Sequence, residues 1–298
     1  AGAFLLLIGV ELIGDAAMGA QRWVEVGPLQ LQPSELMKVA LVIALARYFH
    51  SVAAEDIKRI LILIPPLILI LVPAVLVLRQ PDLGTSALLV ISGTVMLFLA
   101  GIRVWKLGVA FAGLLGAIPV AWQFLREYQK TRILTFINPE SDPLGAGYHI
   151  LQSKIAFGSG GLFGKGFLGG TQGHLNFLPE KQTDFIFTML AEEFGLAGGI
   201  ALLLLYFILM AHGTVLSLRC NSQFGRMIGM GIVTTFFLYV FINMAMVMGL
   251  VPVVGVPLPL ISYGGSAMLT LMFGFGLMLN AHIHRHVQIG RRINNLRS

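Results

Sequence analysis

Residues 59–78 read RILILIPPLILILVPAVLVL, a single arginine followed by nineteen residues drawn only from Ile, Leu, Val, Ala and Pro. A helix that crosses a bilayer needs about 20 mainly apolar residues, and this run supplies them. Working outward, comparable runs occupy 1–14, 33–50, 84–101, 104–125, 185–211, 227–250 and 257–283. The whole chain agrees: of 298 residues, 20 are Lys or Arg and 14 are Asp or Glu, a charged share of 11% against 56% hydrophobic. A typical soluble domain carries about 25% charge. Disorder, a disulfide scaffold and a nucleic-acid module are excluded together. Cys220 has no second cysteine to pair with, which rules out an internal disulfide and a cysteine metal site. The sequence therefore predicts an all-α, polytopic transmembrane bundle of about eight spans, forming one domain over 1–298.

The chain opens on Ala1 in mid-hydrophobic run, without the basic region or cleavage site of a signal peptide. The expectation is that an N-terminal part, whole helices included, precedes it.

Basic residues set the orientation. Arg47, Lys58 and Arg59, then Arg103 and Lys106, then Arg219 and Arg226 all fall on one side if the spans alternate. Arg285, Arg291, Arg292 and Arg297 of the C-terminal tail join them, which makes that side cytoplasmic. His282, His284 and His286 beside this tail read as a solvated juxtamembrane segment or as a metal site. The other side receives the segment around Arg22, the turn at 79–82, the stretch 126–184 and the turn near Pro252. That long stretch is rich in charge and glycine, yet also in Tyr, Phe, Leu and Ile. Connections longer than about 15 residues are usually functional or disordered. This one predicts an ordered external loop that carries chemistry, with a short amphipathic helix at 150–157.

Ionisable groups at membrane depth are costly and mark functional sites by default. Four places qualify. In QPSELMK (32–38), Pro33 suits a helix start, Ser34 can help to cap it, and Glu35 and Lys38 share a helix face. The two are either a self-neutralising pair or a ligand-facing lysine with its orienting acid. In RQPDLGT (79–85), Asp82 either caps the next helix or lines a functional cavity. In FLPEKQTDFIF (177–187), Thr183 or Asp184 could cap a long apolar helix, and the alternative is a functional mouth. Further along that helix Glu192 and Glu193 lie near no end, so at least one needs a polar partner. From Asn243 to Ser266, prolines and glycines break hydrophobic segments. Irregular backbone at that depth must be buried in protein or line a cavity. A packing seam explains most of its small residues.

These motifs carry a resemblance. QPSELMK (32–38), QPDLGT (80–85), NPESDPLGAGYHILQSKIAFGSGGLFGKG (138–166), FLPEKQTDFIF (177–187) and VPVVGVPLPLISYGGSA (251–267) resemble those of the SEDS family of cell-wall proteins (shape, elongation, division and sporulation). NPESDPLGAGYHI and GTQGHLNFLPE (170–180) resemble the elongation branch more than the division branch. The resemblance implies a peptidoglycan glycosyltransferase that polymerises lipid II at the outer face of the bacterial cytoplasmic membrane, beside a class B penicillin-binding protein. It implies about ten helices with both ends cytoplasmic, of which this chain would lack the first two. The family's essential aspartate corresponds to Asp184. Many relatives have His before the Thr-Asp pair. Here Gln182 stands there, and an amide cannot serve as a base.

On that reading, Asp184 is the general base of an inverting transfer with polyprenyl pyrophosphate as leaving group. Lys38 is the first candidate for binding the pyrophosphate, with Arg22, Lys154, Lys165 and Lys181 behind it. Glu35 would orient Lys38, and Asp82 would lie at the rim. A divalent cation, Mg²⁺ or Mn²⁺, could bridge Asp184 and the pyrophosphate. Two rivals are a lipid II flippase and a non-catalytic scaffold for the penicillin-binding protein. Against the flippase, polar residues gather at the external face, and no matched pair of broken segments divides the chain.

Overall fold

The computed structural model describes residues 2–13, 15–17, 20–26, 29–53, 56, 59–80, 82–124, 127–138, 146–170, 182–287 and 289–290. Its elements in chain order are α1 (Gly2–Ile13), β1 (Asp15–Ala17), β2 (Ala20–Val26), β3 (Leu29–Leu31), α2 (Pro33–Ser51) and a 3₁₀ turn (Ile60–Leu63). There follow α3 (Ile64–Arg79), α4 (Leu83–Leu99), α5 (Val104–Phe124), α6 (Glu127–Ile137) and α7 (Ala146–Ser159). The chain ends with α8 (Ile186–Leu218), α9 (Gln223–Val247) and α10 (Gly265–Ile283).

Every expected span appears as a helix, with shifted ends. Among the described residues, four helices are long and apolar enough to cross a membrane: Ile60–Arg79, Ile186–Leu218, Gln223–Val247 and Gly265–Ile283. Leu83–Leu99 is apolar but shorter. On α8, Leu203, Leu204, Leu205, Phe207 and Ile208 point outward and are exposed. In water that stripe would be an association patch, whereas in a bilayer it meets lipid. The chain is a multi-pass helical membrane protein.

Local chemistry places the helix ends. Pro33 opens α2, and Pro65 and Pro66 sit in the first turn of α3, where missing N–H groups cost nothing. Asp82 is the N-cap of α4, its side chain accepting from the Thr85 N–H at 3.1 Å. Ser34 is not a cap. Gln32 holds that position on α2, and no side chain caps it.

Three findings depart from the sequence reading. The segment 15–31, read as a connection, contains a three-stranded antiparallel sheet in the order β1-β2-β3, with Ala17 opposite Ala20 and Val26 opposite Leu29. Strands of three, seven and three residues are too short to display a clear period of two. The predicted final span at 257–283 begins at Gly265, because the segment 251–264 is irregular. The expected short helix at 150–157 is longer, Ala146–Ser159.

The chain divides into two compact units. The first is Ala1–Pro119, Ala211–Phe236 and Leu269–Ser298. Its core joins Leu41, Leu45 and Phe49 of α2 to Val77 of α3, Leu89 of α4 and Ile232 of α9. Close approach needs glycine: a Cβ on Gly93 would come within 2.5 Å of Ile70, so α3 and α4 meet through that bare backbone. The second unit is Val120–Met210 and Phe237–Met268.

Candidate active site

In the first unit the two Gln-Pro motifs meet. Lys38 donates to Glu35 Oε1 at 2.7 Å, and both side chains are buried. The spacing of three residues on α2 thus produces the self-neutralising pair that the sequence allowed. One turn earlier, Gln32 Nε2 donates to Asp82 Oδ2 at 3.2 Å. Asp82 therefore caps α4 with one oxygen and ties the start of α2 to the start of α4 with the other. Gln80, also buried, donates to the Leu7 carbonyl at 2.8 Å and fixes α1 beside the same turn. Glu35, Lys38 and Asp82 come to rest around these helix starts.

In the second unit Asp184 lies just before α8. The Phe185 carbonyl accepts from the N–H groups of Thr188 and Met189, so Phe185 holds the cap position. Capping by Thr183 or Asp184 therefore does not account for the polar residues at this mouth.

The backbone around Asp184 is fixed by the irregular segment that follows α9. Three successive carbonyls each accept a hydrogen bond. Gln182 O accepts from the Tyr263 N–H at 2.9 Å, Thr183 O from the Ser262 hydroxyl, and Asp184 O from Asn243 Nδ2 at 2.9 Å. Ser262 also accepts from the Leu258 N–H at 2.7 Å, and Tyr206 on α8 donates to the Pro259 carbonyl at 2.6 Å. Gly255, at φ 72°, faces the carboxylate: a Cβ there would stand 3.4 Å from Asp184 Oδ2. Prolines and glycines thus shape a segment that turns Ser262 and Tyr263 onto the carbonyls preceding Asp184. Such fixed placement is what catalytic preorganisation requires.

Further along α8 the helix breaks. Gly195 adopts φ 64° and ψ −160°, which only glycine tolerates cheaply. The glycine-rich segment after α7 repairs the break. Lys165 N and Gly166 N donate to the carbonyls of Glu192 and Glu193 at 3.0 Å each. Leu196 N and Ala197 N donate to the carbonyls of Gly161 and Leu162 at 2.9 and 3.0 Å. Gly160 and Gly164 lie directly on the helix backbone, because a Cβ would fall 2.0 Å from Ala191 O or 2.1 Å from Glu193 O. Lys165 Nζ then reaches Glu192 Oε1 at 2.7 Å. Glu192 is wholly buried and Lys165 is 29% exposed at its side chain. This is the partner that the position of Glu192 demanded.

The other candidates separate. Lys154 is exposed on α7. Arg22 falls on β2, but its side chain, like Lys181, lies outside the described residues. So do 139–145 and 171–181, which hold parts of the quoted motifs. Among the described residues, no three His, Cys, Asp or Glu gather as a metal site. Arg285 occupies the histidine trio, contacting His282 Nε2 at 3.0 Å and donating to His286 Nε2 at 3.1 Å. Sequence reasoning missed Asn243, Ser262 and Gly255 as supports of Asp184. The signal was a buried amide among apolar residues and the density of Gly and Pro, which read only as a packing seam.

Comparison with known proteins identifies the family. Residues 1–287 match the family model of FtsW, RodA and SpoVE, described as "Cell cycle protein". The chain is 50% identical over 284 residues to the peptidoglycan glycosyltransferase MrdB of Escherichia coli K12, covering 94% of this chain and 76% of that protein. Its fold resembles a chain from a peptidoglycan synthase complex, studied for coordination of polymerization and crosslinking, with TM-score 0.82, 33% identity and coverage of 96% and 80%. It also resembles the rod shape determining protein RodA of Thermus thermophilus, with TM-score 0.68, 30% identity and coverage of 96% and 77%. The match runs from the first helix through the histidine trio, and the chain belongs to the FtsW, RodA and SpoVE family of cell cycle proteins, the SEDS family that its motifs resemble.

Proposed function

We propose that this protein is a peptidoglycan glycosyltransferase of the elongation type, with Asp184 as its general base. The observation that carries the site assignment is the fixation of three consecutive carbonyls, 182 to 184, around an aspartate outside the helix cap. A capping or merely structural aspartate needs no such frame.

The 4-hydroxyl of an acceptor GlcNAc attacks C1 of the donor MurNAc, its proton passing to the Asp184 carboxylate. The new O4–C1 bond forms as the bond from C1 to polyprenyl pyrophosphate breaks, and the anomeric centre inverts. General-base help of this kind is worth about 10²–10⁴-fold. The departing pyrophosphate needs cations and fixed dipoles. Lys38 is assigned to it, oriented by Glu35, with Asp82 holding the neighbouring turn and Arg22, Lys154, Lys165 and Lys181 as further candidates. Both Lys38 and Lys165 already compensate a carboxylate at 2.7 Å, Glu35 and Glu192, so a phosphate would have to share either ammonium with its acid. Asp184 is the residue that would hold a divalent cation, Mg²⁺ or Mn²⁺, if one entered with the substrate, because Mg²⁺ commonly relies on substrate phosphates. The charge it supplied would favour departure of the leaving group.

The substrate is lipid II, the site faces the exterior of the cytoplasmic membrane, and the C-terminus is cytoplasmic. The basic residues of the connections and tail support that orientation. A class B penicillin-binding protein is the proposed partner, by likeness to the synthase complex. The full-length protein, purified with that partner and given lipid II, tests the reading. Asp184→Asn should abolish glycan polymer, and polymerisation at the wild-type rate would refute the base assignment. Lys38→Ala at full activity would remove the pyrophosphate role. Lipid II translocation in proteoliposomes without polymer would favour the flippase. Absence of polymer from wild type and Asp184→Asn alike, with partner contact retained, would favour the scaffold.

A further inference from the structure

Asn243 lies near the C-terminal end of α9, and its side chain is wholly buried. Its amide spends both donors on two backbone carbonyls: Nδ2 reaches Asp184 O at 2.9 Å and Val256 O at 2.7 Å. Its Oδ1 accepts from none of the described residues. The two carbonyls belong to the two pieces of chain that enclose the carboxylate. One is Asp184 itself, and the other adjoins Gly255, whose Cα faces Asp184 Oδ2. The amide orientation follows from these partners, because a flipped amide would set an oxygen against two carbonyl oxygens. No aliphatic, hydroxyl or carboxylate side chain could serve both carbonyls from one atom. An acceptor left unmatched in a dry interior is unfavourable, so the residue is explained by what its donors hold rather than by its acceptor.

We infer that Asn243 is a positioning residue for the reaction: its amide clamps the Asp184 peptide to the Gly255–Val256 backbone and thereby sets the carboxylate against the acceptor hydroxyl. The inference rests on the reading of Asp184 as the general base. Ser262 and Tyr263 fix the carbonyls of Thr183 and Gln182, while Asn243 joins the Asp184 carbonyl to the strip that the carboxylate faces. Misplacement of a reacting group by about 1 Å can cost 10²-fold in rate. Loss of the clamp therefore lowers turnover while leaving the binding of the lipid-linked substrate in place.

The test uses the full-length protein with its penicillin-binding partner and lipid II. Steady-state polymerisation is measured for wild type, Asp184→Asn, Asn243→Ala and Asn243→Asp. Asn243→Asp keeps the volume but, ionised, donates nothing and, protonated, donates a single O–H, so it retains the shape and breaks the two-carbonyl clamp. Co-purification with the partner reports folding. Both Asn243 variants should lose roughly 10- to 100-fold in kcat, with KM for lipid II within about threefold of wild type. Three results overturn the inference: kcat within twofold in either variant, recovery by Asn243→Asp of what Asn243→Ala loses, or a rise in KM with kcat unchanged. The second marks a space-filling role, and the third a substrate contact. Failure of Asn243→Ala to fold leaves the decision to Asn243→Asp. An inactive wild type, or a fully active Asp184→Asn, defeats the base reading and this inference together. An active wild type with inactive Asp184→Asn and unaffected Asn243 variants defeats the positioning role alone.

Discussion

Replacing Lys165 with Met removes the cation from a carboxylate that water does not reach. Lys165 Nζ and Glu192 Oε1 are 2.7 Å apart, with side-chain exposures of 29% and 0%. At that distance and an effective dielectric of about 20, the gross attraction is about 6 kcal/mol. Hydration of the unfolded lysine and water at its exposed third offset more than half of that. Breaking a fully buried pair costs about 3–5 kcal/mol, so this partly wet pair belongs below that range, at about 2–3 kcal/mol. For a chain of 298 residues, a change of that size lowers the midpoint of thermal unfolding by about 3–5 °C. The assay is intrinsic-fluorescence melting in detergent at one fixed scan rate, on wild type, Lys165→Met, Glu192→Gln and the double variant. Lys165→Met should melt lowest, and the double variant should recover most of the loss because no buried charge is left uncompensated. Lys165→Met melting within about 1 °C of wild type would refute the reasoning. So would a double variant no more stable than Lys165→Met.

Other consequences are quicker to check. Asp82→Ala removes both the cap on Thr85 and the tie to Gln32, and should cost about 1–2 kcal/mol in the same melt, while Asp82→Asn keeps most of the cap. Gly164→Ala should abolish the folded yield, since φ is 76° and the new Cβ would fall 2.1 Å from the Glu193 carbonyl; Gly161→Ala, with φ 57° and open space, should cost only about 1–2 kcal/mol. Burial raises the pKa of the Cys220 thiol, against a smaller lowering by Arg226 and Arg285, so the thiolate forms above the ordinary thiol range. Maleimide should label native protein slowly at pH 7, faster as pH rises, and fully only after unfolding; rapid labelling of native protein at pH 7 would contradict that burial.

The spans were legible because apolar length is a one-dimensional signal, and 59–78 needs no tertiary information. Asp82 as a cap was legible too, because its acceptor and the Thr85 N–H are three residues apart. The pairing of Glu35 with Lys38 followed from helical spacing, and the choice between pair and ligand contact needed the folded neighbourhood. Glu192 shows where local reasoning stops. Its need for a partner could be read from depth alone, yet Lys165 stands 27 residues away, across a chain reversal that no periodicity encodes. The same holds for Asn243, which acts across 59 residues on Asp184. The expected cap at Thr183 or Asp184 failed by one or two residues, because the pull of residues 262 and 263 on the preceding carbonyls delays the helix start to Ile186. The strands at 15–31 were invisible because each is too brief to set a pattern.

The mended break at Gly195 bears on how this protein can vary in length. Surface connections ordinarily accept added or deleted residues at little cost. Between Gly161 and Gly166, however, two acceptors followed by two donors stand in a fixed order against residues 192 to 197. One residue more or fewer puts that order out of step with the helix, leaving polar backbone unmatched inside the span Ile186–Leu218. A stretch whose glycines suggest an adjustable tether behaves instead as a ruled gauge. Tags, labels or engineered insertions belong elsewhere in the chain.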